Sequence, residues 1–234
     1  MFGTLYLIPN TLGECEPDRV LPGYNHSVVV TLKHFIVEDI RTARRFLKKV
    51  DKSIVIDDLS FTTLNEQTPV AEVGQLLTPL LDGHDVGVIS EAGCPAIADP
   101  GADIVALAQA HGVKVVPLVG PSSILMSLMA SGFNGQNFAF VGYLPIEAHE
   151  RGKALKALEK KVSADNQTQL FIETPYRNAK LLDEIIRNCM PHTKLCVAVD
   201  VSLPTESIIT RSLSEWKKSL PDLQKRPAIF LLGR

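Results

Sequence analysis

The sequence predicts an α/β protein of two domains, residues 1–118 around a mostly parallel sheet and residues 119–234 around a mixed one. Through Ser131, short apolar runs alternate with helical periods, which is the pattern of a parallel sheet covered by helices on both faces. Beyond Leu195 the apolar runs follow one another closely, as the strands of a mixed sheet do. A chain of 234 residues, 45% hydrophobic and 21% charged, has enough apolar material for two cores.

The elements are read in chain order. Thr4–Ile8 is a short apolar run stopped by Pro9, Asn10 and Gly13, hence a buried strand and a loop. VVVTL at Val28–Leu32 suits a strand by propensity, although Asn25 or Ser27 could cap a helix there. Asp39–Val50 is an amphipathic helix: Ile40, Ala43, Phe46 and Leu47 share a face, and Arg41, Arg44, Arg45, Lys48 and Lys49 lie elsewhere. Ser53–Asp57 reads as a strand. Thr68–Leu81 has helical period through Val70, Val73, Leu76, Leu77 and Leu80, ended by Gly83. Asp85–Ser90 is a strand, followed by the loop EAGCPAIADPG. Ala102–His111 is a helix with Asp99 as cap, Pro100 in its first turn and Gly112 as its stop. Val113–Leu118 is a strand, and Gly120-Pro121-Ser122-Ser123 opens a helix to about Ser131. In the second half Phe138–Val141, Gln169–Glu173, Leu195–Asp200, Glu206–Arg211 and Ala228–Leu232 read as strands. Ala148–Ser163, Ala179–Asn188 and Ser212–Ser219 read as helices.

Net charge is −2, so no overall attraction to nucleic acid or anionic membrane is visible, although a local patch can act within a neutral total. Cys15, Cys94, Cys189 and Cys196 form no C-x-x-C pair, and neither His149 nor His192 completes a metal-ligand spacing with them. They read as free, mostly buried thiols, and no metal is expected. MFGTLYLIPN lacks the basic start and cleavage site of a signal peptide, and no apolar window is long enough to span a membrane. The cytoplasm is the default expectation.

Ligands of open parallel sheets bind where loops leave the carboxyl ends of the strands. Pro9–Gly13, Glu91–Gly101 and Gly120–Ser123 leave that edge here and are rich in small or kinked residues. Gly93 lets a ligand approach the main chain without a Cβ between them. Pro95 and Pro100 lower the entropy lost in holding one loop shape. Ser122 and Ser123 offer hydroxyls and N–H groups at a helix start. Plain capping accounts for any one of these loops alone. Glu91 is harder to dismiss, because a carboxylate directly after a buried strand needs a partner. The phosphate-loop, G-x-G-x-x-G and G-x-S-x-G signatures are absent.

VISEAGCPAIADPG at 88–101 resembles the V-S-D-A-G-T-P-x-I-S-D-P-G segment of the bacterial small-subunit ribosomal RNA cytidine 2′-O-methyltransferases, within the tetrapyrrole-methylase superfamily of S-adenosylmethionine enzymes. Further similarities follow in order. LYLIPNTLGE resembles L-Y-x-V-x-T-P-I-G-N, VEDIRTARRFL resembles A-E-D-T-R-x-T-x-x-L-L, and LNE at 64–66 resembles H-N-E. VVPLVGPSSI resembles V-x-P-L-P-G-P-S-A, and FIETPYR resembles Y-E-S-P-H-R. The resemblance implies two α/β domains, usually in a homodimer, with S-adenosyl-L-methionine in the cleft between the domains. Pro9, Glu91, Ala92, Gly93, Ile97, Ser122 and Ser123 would hold the donor, and Glu173, Thr174 and Pro175 would approach it from the second domain. The acceptor would be a ribose hydroxyl of ribosomal RNA.

The chain departs from the family's R-E-L-T-K-x-x-E-E segment. Asp200, Ser202 and Leu203 stand for its first Glu, its Thr and its Lys; Glu206 is retained, and Leu64 stands for the His of H-N-E. Removing a Lys and a His keeps two alternatives open. One is methylation of a small or tetrapyrrole-like metabolite, and the other is a donor-binding protein that has lost catalysis. A ribose hydroxyl needs a nearby base. Glu38, Glu66 and Asp200 are the candidates, with Asp39 after them; each also has a plain surface or structural reading. The basic residues from Arg41 to Lys52 would line an RNA-facing surface or simply be a solvated face.

Overall fold

A computed structural model describes residues 1–65, 68 and 74–234. It divides into two compact units, Met1–Ser122 and Ser123–Arg234.

The first unit carries β1 (Thr4–Ile8), α1 (Gly23–Val29), β2 (His34–Val37), α2 (Ile40–Val50), β3 (Ser60–Thr63), α3 (Thr78–Leu81), β4 (Val86–Ile89), α4 (Gly101–Ala110) and β5 (Lys114–Pro117). Its strands run in the order β3-β2-β4-β1-β5, every pair parallel. Alternation along the strands builds two cores. Leu5, Ile36 and Val88 face Leu77, Leu80 and Ile104, while Ile8, Phe35 and Ile89 face Val29, Leu32, Phe46 and Leu47. Gly87 belongs to the second face, where a Cβ would lie 2.5 Å from Ile8 Cδ1 and 3.0 Å from Leu32 Cδ1. The missing side chain lets the segment after α1 press onto the sheet.

Three expectations change here. Val28 and Val29 close helix α1, whose N-terminal cap is Pro22 rather than Asn25 or Ser27. Their burial against the sheet overrides β propensity. Ser53–Asp57 is not a strand; a 3-10 turn at Ile56–Asp58 precedes β3, whose Phe61 stacks on Phe35 at 5.7 Å. Strand β2 was not expected at all, because HFIV is short and offers no turn residue before it. Of the Thr68–Leu81 helix, Val70 and Val73 lie outside the described residues; Gly74–Leu77 is a 3-10 turn leading into α3.

The second unit carries α5 (Ser123–Ser131), β6 (Phe138–Tyr143), α6 (Ala148–Asp165), β7 (Thr168–Ile172), α7 (Asn178–Asn188), β8 (Lys194–Val199), β9 (Ser207–Ser212), α8 (Leu213–Trp216) and β10 (Ala228–Gly233). The order is β6-β7-β10-β8-β9, with β6 and β7 parallel and the other pairs antiparallel. Leu155, Leu158, Val162, Phe171, Ile185, Trp216 and Phe230 form its core. Buried Arg151 is bound to Glu184 and donates to the carbonyls of Pro145 (3.0 Å) and Ile146 (2.7 Å), so its charge is fully matched. Among the described residues no helix is long and apolar enough to cross a membrane.

Candidate functional site

Three loops meet at the carboxyl edge of the first sheet. Asn10 and Gly93 form a two-bond antiparallel bridge, Asn10 N to Gly93 O at 2.9 Å and Gly93 N to Asn10 O at 3.2 Å. The Asn10 side chain is buried, and its Nδ2 donates to the carbonyls of Ser90 (3.1 Å) and Glu91 (3.2 Å). Ser90 Oγ donates to Gly93 O at 2.8 Å, which closes the turn. Gly93 has φ +70, a left-handed backbone where a side chain is strained. Gly120 brings the third loop in: a Cβ there would lie 2.2 Å from Pro9 Cγ. The Cys94 thiol, its pKa pushed up by burial, donates to Pro121 O at 3.5 Å.

The middle loop is held by its own acid. Asp99 was expected to cap α4 but does not; Pro100 stands at that position, and Asp99 Oδ1 accepts from Ala96 N (3.0 Å) and Gly101 N (2.6 Å). That brace supports Ala96 and Ala98 at φ 66 and 57, conformations that cost a non-glycine residue about 1–2 kcal/mol each. Ile97, between them, is held 54% exposed. The strained segment thus uses backbone energy to hold an apolar side chain outward rather than to pack it.

Three carboxylates collect beside this loop. Glu38 follows β2, Glu91 follows β4, and Asp99 lies in the loop. Glu91 N donates to Glu38 Oε1 at 3.5 Å, and Thr42 Oγ1 donates to the Glu91 carboxylate. Partial burial raises the Glu38 pKa to about 6, and the neighbouring negative charge of Asp99 adds to the rise. Asp39 behaves differently: it caps α2, accepting from Thr42 N at 2.8 Å, and its pKa is lowered by that bond. A cavity of about 240 Å³ opens here, lined by Asn10, Leu12, Thr42, Arg45, Glu91 and Ala92 among others. Among the described residues no cluster of His, Cys, Asp and Glu could hold a metal ion.

The other candidates stand as follows. Pro9 is buried, Glu91 and Ala92 are exposed, and Ser122 is half-buried at the end of the first unit. Glu66 lies outside the described residues. In the second unit, Ser123 opens α5. Glu173, just past β7, is buried; its Oε1 accepts from Thr174 N (2.7 Å) and from Arg177 (2.7 and 3.0 Å), which leaves the Thr174-Pro175 turn fixed. Asp200 is also buried, with Oδ2 accepting from Thr205 Oγ1 (2.7 Å) and Arg226 Nε (2.8 Å). Asp200 and Ser202 are left-handed at φ 50 and 72, and Ser202 N donates to Glu206 Oε2 at 2.6 Å. This carboxylate is committed to holding a strained turn. Asp200→Asn should therefore destabilise the protein by about 3 kcal/mol, read as a lower denaturation midpoint.

Asn10, Thr42 and Asp99 are the residues whose site roles the sequence did not disclose. Asn10 lies within a loop already singled out, but nothing local says that its amide reaches residues 80 and 81 positions away.

A parallel sheet with small-residue loops gathered at its carboxyl edge, followed by a mixed-sheet unit, defines the class as a two-unit α/β ligand-binding fold. The family model for tetrapyrrole (corrin/porphyrin) methylases matches residues 28–217, and the chain belongs to that family. It is 30% identical over 188 residues to the ribosomal RNA small subunit methyltransferase I of Halalkalibacterium halodurans, covering 79% of this chain and 60% of the relative. The protein of the same name from Vibrio cholerae is 28% identical over 213 residues, covering 90% of this chain and 69% of that one. The chain spans between 51% and 60% of the length of the first curated relatives. Among solved structures, the methyltransferase CobJ matches with a TM-score of 0.65 at 16% identity, covering 100% of this chain and 94% of that one. Uroporphyrin-III C-methyl transferase from Thermus thermophilus, complexed with S-adenyl homocysteine, matches with 0.61 at 19%, covering 99% and 98%. At those identities the likeness is one of fold.

Proposed function

We propose that this chain is an S-adenosylmethionine-dependent methyltransferase that modifies a ribose hydroxyl of small-subunit ribosomal RNA. The carrying observation is Glu38, a half-buried carboxylate with its pKa raised to about 6, beside the loop of Ala92, Gly93 and Ile97. Such a group is ionised at neutral pH yet basic enough to take a proton, which is what an alcohol acceptor requires. The residues present fit the donor. Its sulfonium and ammonium are cationic and would face the acidic side chains of Glu91 and Asp99, and Gly93 leaves the main chain open to it.

When bound, S-adenosylmethionine supplies an electrophilic methyl group. Ala92, Gly93 and Ile97 would hold it through a loop whose shape is fixed by Asn10, Ser90 and Asp99. Glu38 would accept the acceptor's hydroxyl proton on a carboxylate oxygen and release it to solvent. Partial burial and the neighbouring Asp99 keep Glu38 basic, while Glu91, tied to Thr42, donates its N–H to Glu38 Oε1 and holds that carboxylate in place. Orientation of the acceptor accounts for the larger share of the rate, since alignment alone can supply about 7–11 kcal/mol.

The homodimer belongs with the same proposal, supported by the outward-facing Met129 (82% exposed) and Tyr143 (60%). Leu64, buried where the family has His, and half-buried Leu203, where it has Lys, favour a second acceptor, a small tetrapyrrole-like metabolite. Transfer of tritiated methyl to small ribosomal subunits from a strain lacking this gene separates the two. Label should appear in RNA and survive as a 2′-O-methyl nucleoside after digestion. Unlabelled RNA beside a labelled tetrapyrrole would reverse the choice, and donor binding without turnover on either would mean lapsed catalysis.

A further inference from the structure

We infer that a basic trough in the second unit is a seat for the sugar–phosphate backbone of RNA. The trough is a cavity of about 510 Å³ with Lys156 and Lys160 of α6 on one wall and Lys194 and Arg234, at the ends of β8 and β10, on the other. His192 adds a titratable edge. All five side chains belong to solvent-exposed residues. The trough shares no residue with the loop cluster that would hold the methyl donor.

Charge makes it unusual in this chain. Acids outnumber bases 26 to 24, yet among the described residues Lys156, Lys160 and Lys194 form no ion pair within 4.0 Å. Its own acid, Glu159, is turned to structural use: Oε1 accepts from Met190 N at 2.7 Å and from Thr193 Oγ1. Other basic surfaces are partly spent. Lys153, also on α6, pairs with Glu150 at 2.9 Å. On α2, Lys49 pairs with Glu14 at 2.6 Å and the Arg44 guanidinium sits 5.5 Å from the Phe61 ring. Arg234 donates to the Ser163 carbonyl, and among the described residues Lys156, Lys160 and Lys194 are left without an ion pair to meet an outside anion.

The shape chooses the anion. Lys156 and Lys160 are four residues apart on a helix, so they repeat about every 6 Å along the wall, close to the separation of successive phosphates on a strand. Cations on two facing walls suit a threadlike polyanion better than one compact anion. They also suit it better than a lipid surface, which is flat and calls for an apolar rim. Committing to RNA rests on the acceptor proposed above.

The test is fluorescence anisotropy of the full chain with a fluorescein-labelled RNA hairpin of about 20 nucleotides, at about 50 and 200 mM KCl. Wild type should bind with a steep salt dependence. The triple variant K156E/K160E/K194E should bind at least about tenfold more weakly, with the slope of log affinity against log salt reduced by about 2 to 3. Calorimetric binding of S-adenosylhomocysteine and the melting temperature should be unchanged. The neutral triple variant K156Q/K160Q/K194Q, which adds no repulsion, should show a smaller loss in the same direction and serves if the first folds poorly. Equal affinity and slope in wild type and variants would overturn the trough and leave the RNA acceptor standing. So would wild type that captures phosphatidylserine vesicles but not the hairpin. Variant-sensitive binding of the hairpin without methyl transfer to ribosomal RNA would uphold the trough and remove the acceptor assignment.

Discussion

Glu38→Gln should lower kcat for methyl transfer by a factor of about 10² to 10⁴ while calorimetric donor affinity stays unchanged. The amide keeps the size of the side chain but cannot take the acceptor's proton. Wild type should show an acid limb in kcat/KM centred near pH 6, where Glu38 loses its proton, and the variant should not. Stability moves the other way. The folded pKa, about 6, is above the ordinary 4.5, so the folded protein binds more protons than the unfolded chain between those values. Stability then falls as pH rises from about 4.5 to about 6, and the deficit persists above that range. Glu38→Gln removes this deficit and should stabilise the protein at pH 8 by about 1 kcal/mol, once solvent screening of a half-open group is allowed for, with little effect at pH 4.5. Loss of turnover with a gain in melting temperature separates a catalytic carboxylate from a structural one, and Asp200→Asn should show the reverse pairing. Full activity in Glu38→Gln would end the assignment.

Gly120→Ala should cost about 1–3 kcal/mol of stability and greatly weaken donor binding. The added methyl would lie 2.2 Å from Cγ and 2.4 Å from Cβ of Pro9, atoms of a closed ring that cannot swing aside. Either loop must move, and Pro9 is directly joined to Asn10, whose amide carries the bridge to Gly93. The disturbance therefore reaches the centre of the loop proposed to hold the donor. Thermal denaturation and calorimetry with S-adenosylhomocysteine check both halves, and Gly23→Ala, where an added Cβ meets nothing within 4 Å, is the control.

The parallel sheet was legible in outline because β1 and β4 are apolar runs bounded by breakers, and α2 announces itself through its apolar stripe. β2 was not, since four residues give too little period. Ser53–Asp57 misled for a physical reason. Ile54 and Ile56 are apolar because they pack on the face of the core from a turn, whereas true β3 is an edge strand with one core residue, Phe61. The site was legible as loops but not as contacts. Small residues mark where the chain must bend, yet the Thr42–Glu91 clamp spans 49 positions and the pairing of Glu38 with Asp99 leaves no local trace. The shifted pKa of Glu38 comes from neighbours that only the folded sheet brings together.

The strand order β3-β2-β4-β1-β5 has a consequence for how the molecule is made. Pro9, Glu38, Gly93 and Gly120 arrive at the same edge from four separate strands, and the last of them waits for β5 to dock beside β1. A nascent chain still lacking β5 has the acids and the glycines but no place where they meet. Under the proposed function, capture of the methyl donor would be coupled to completion of the whole first unit. Long-range parallel pairing makes that step slow compared with helix formation, and added donor should draw late intermediates toward the finished state by mass action.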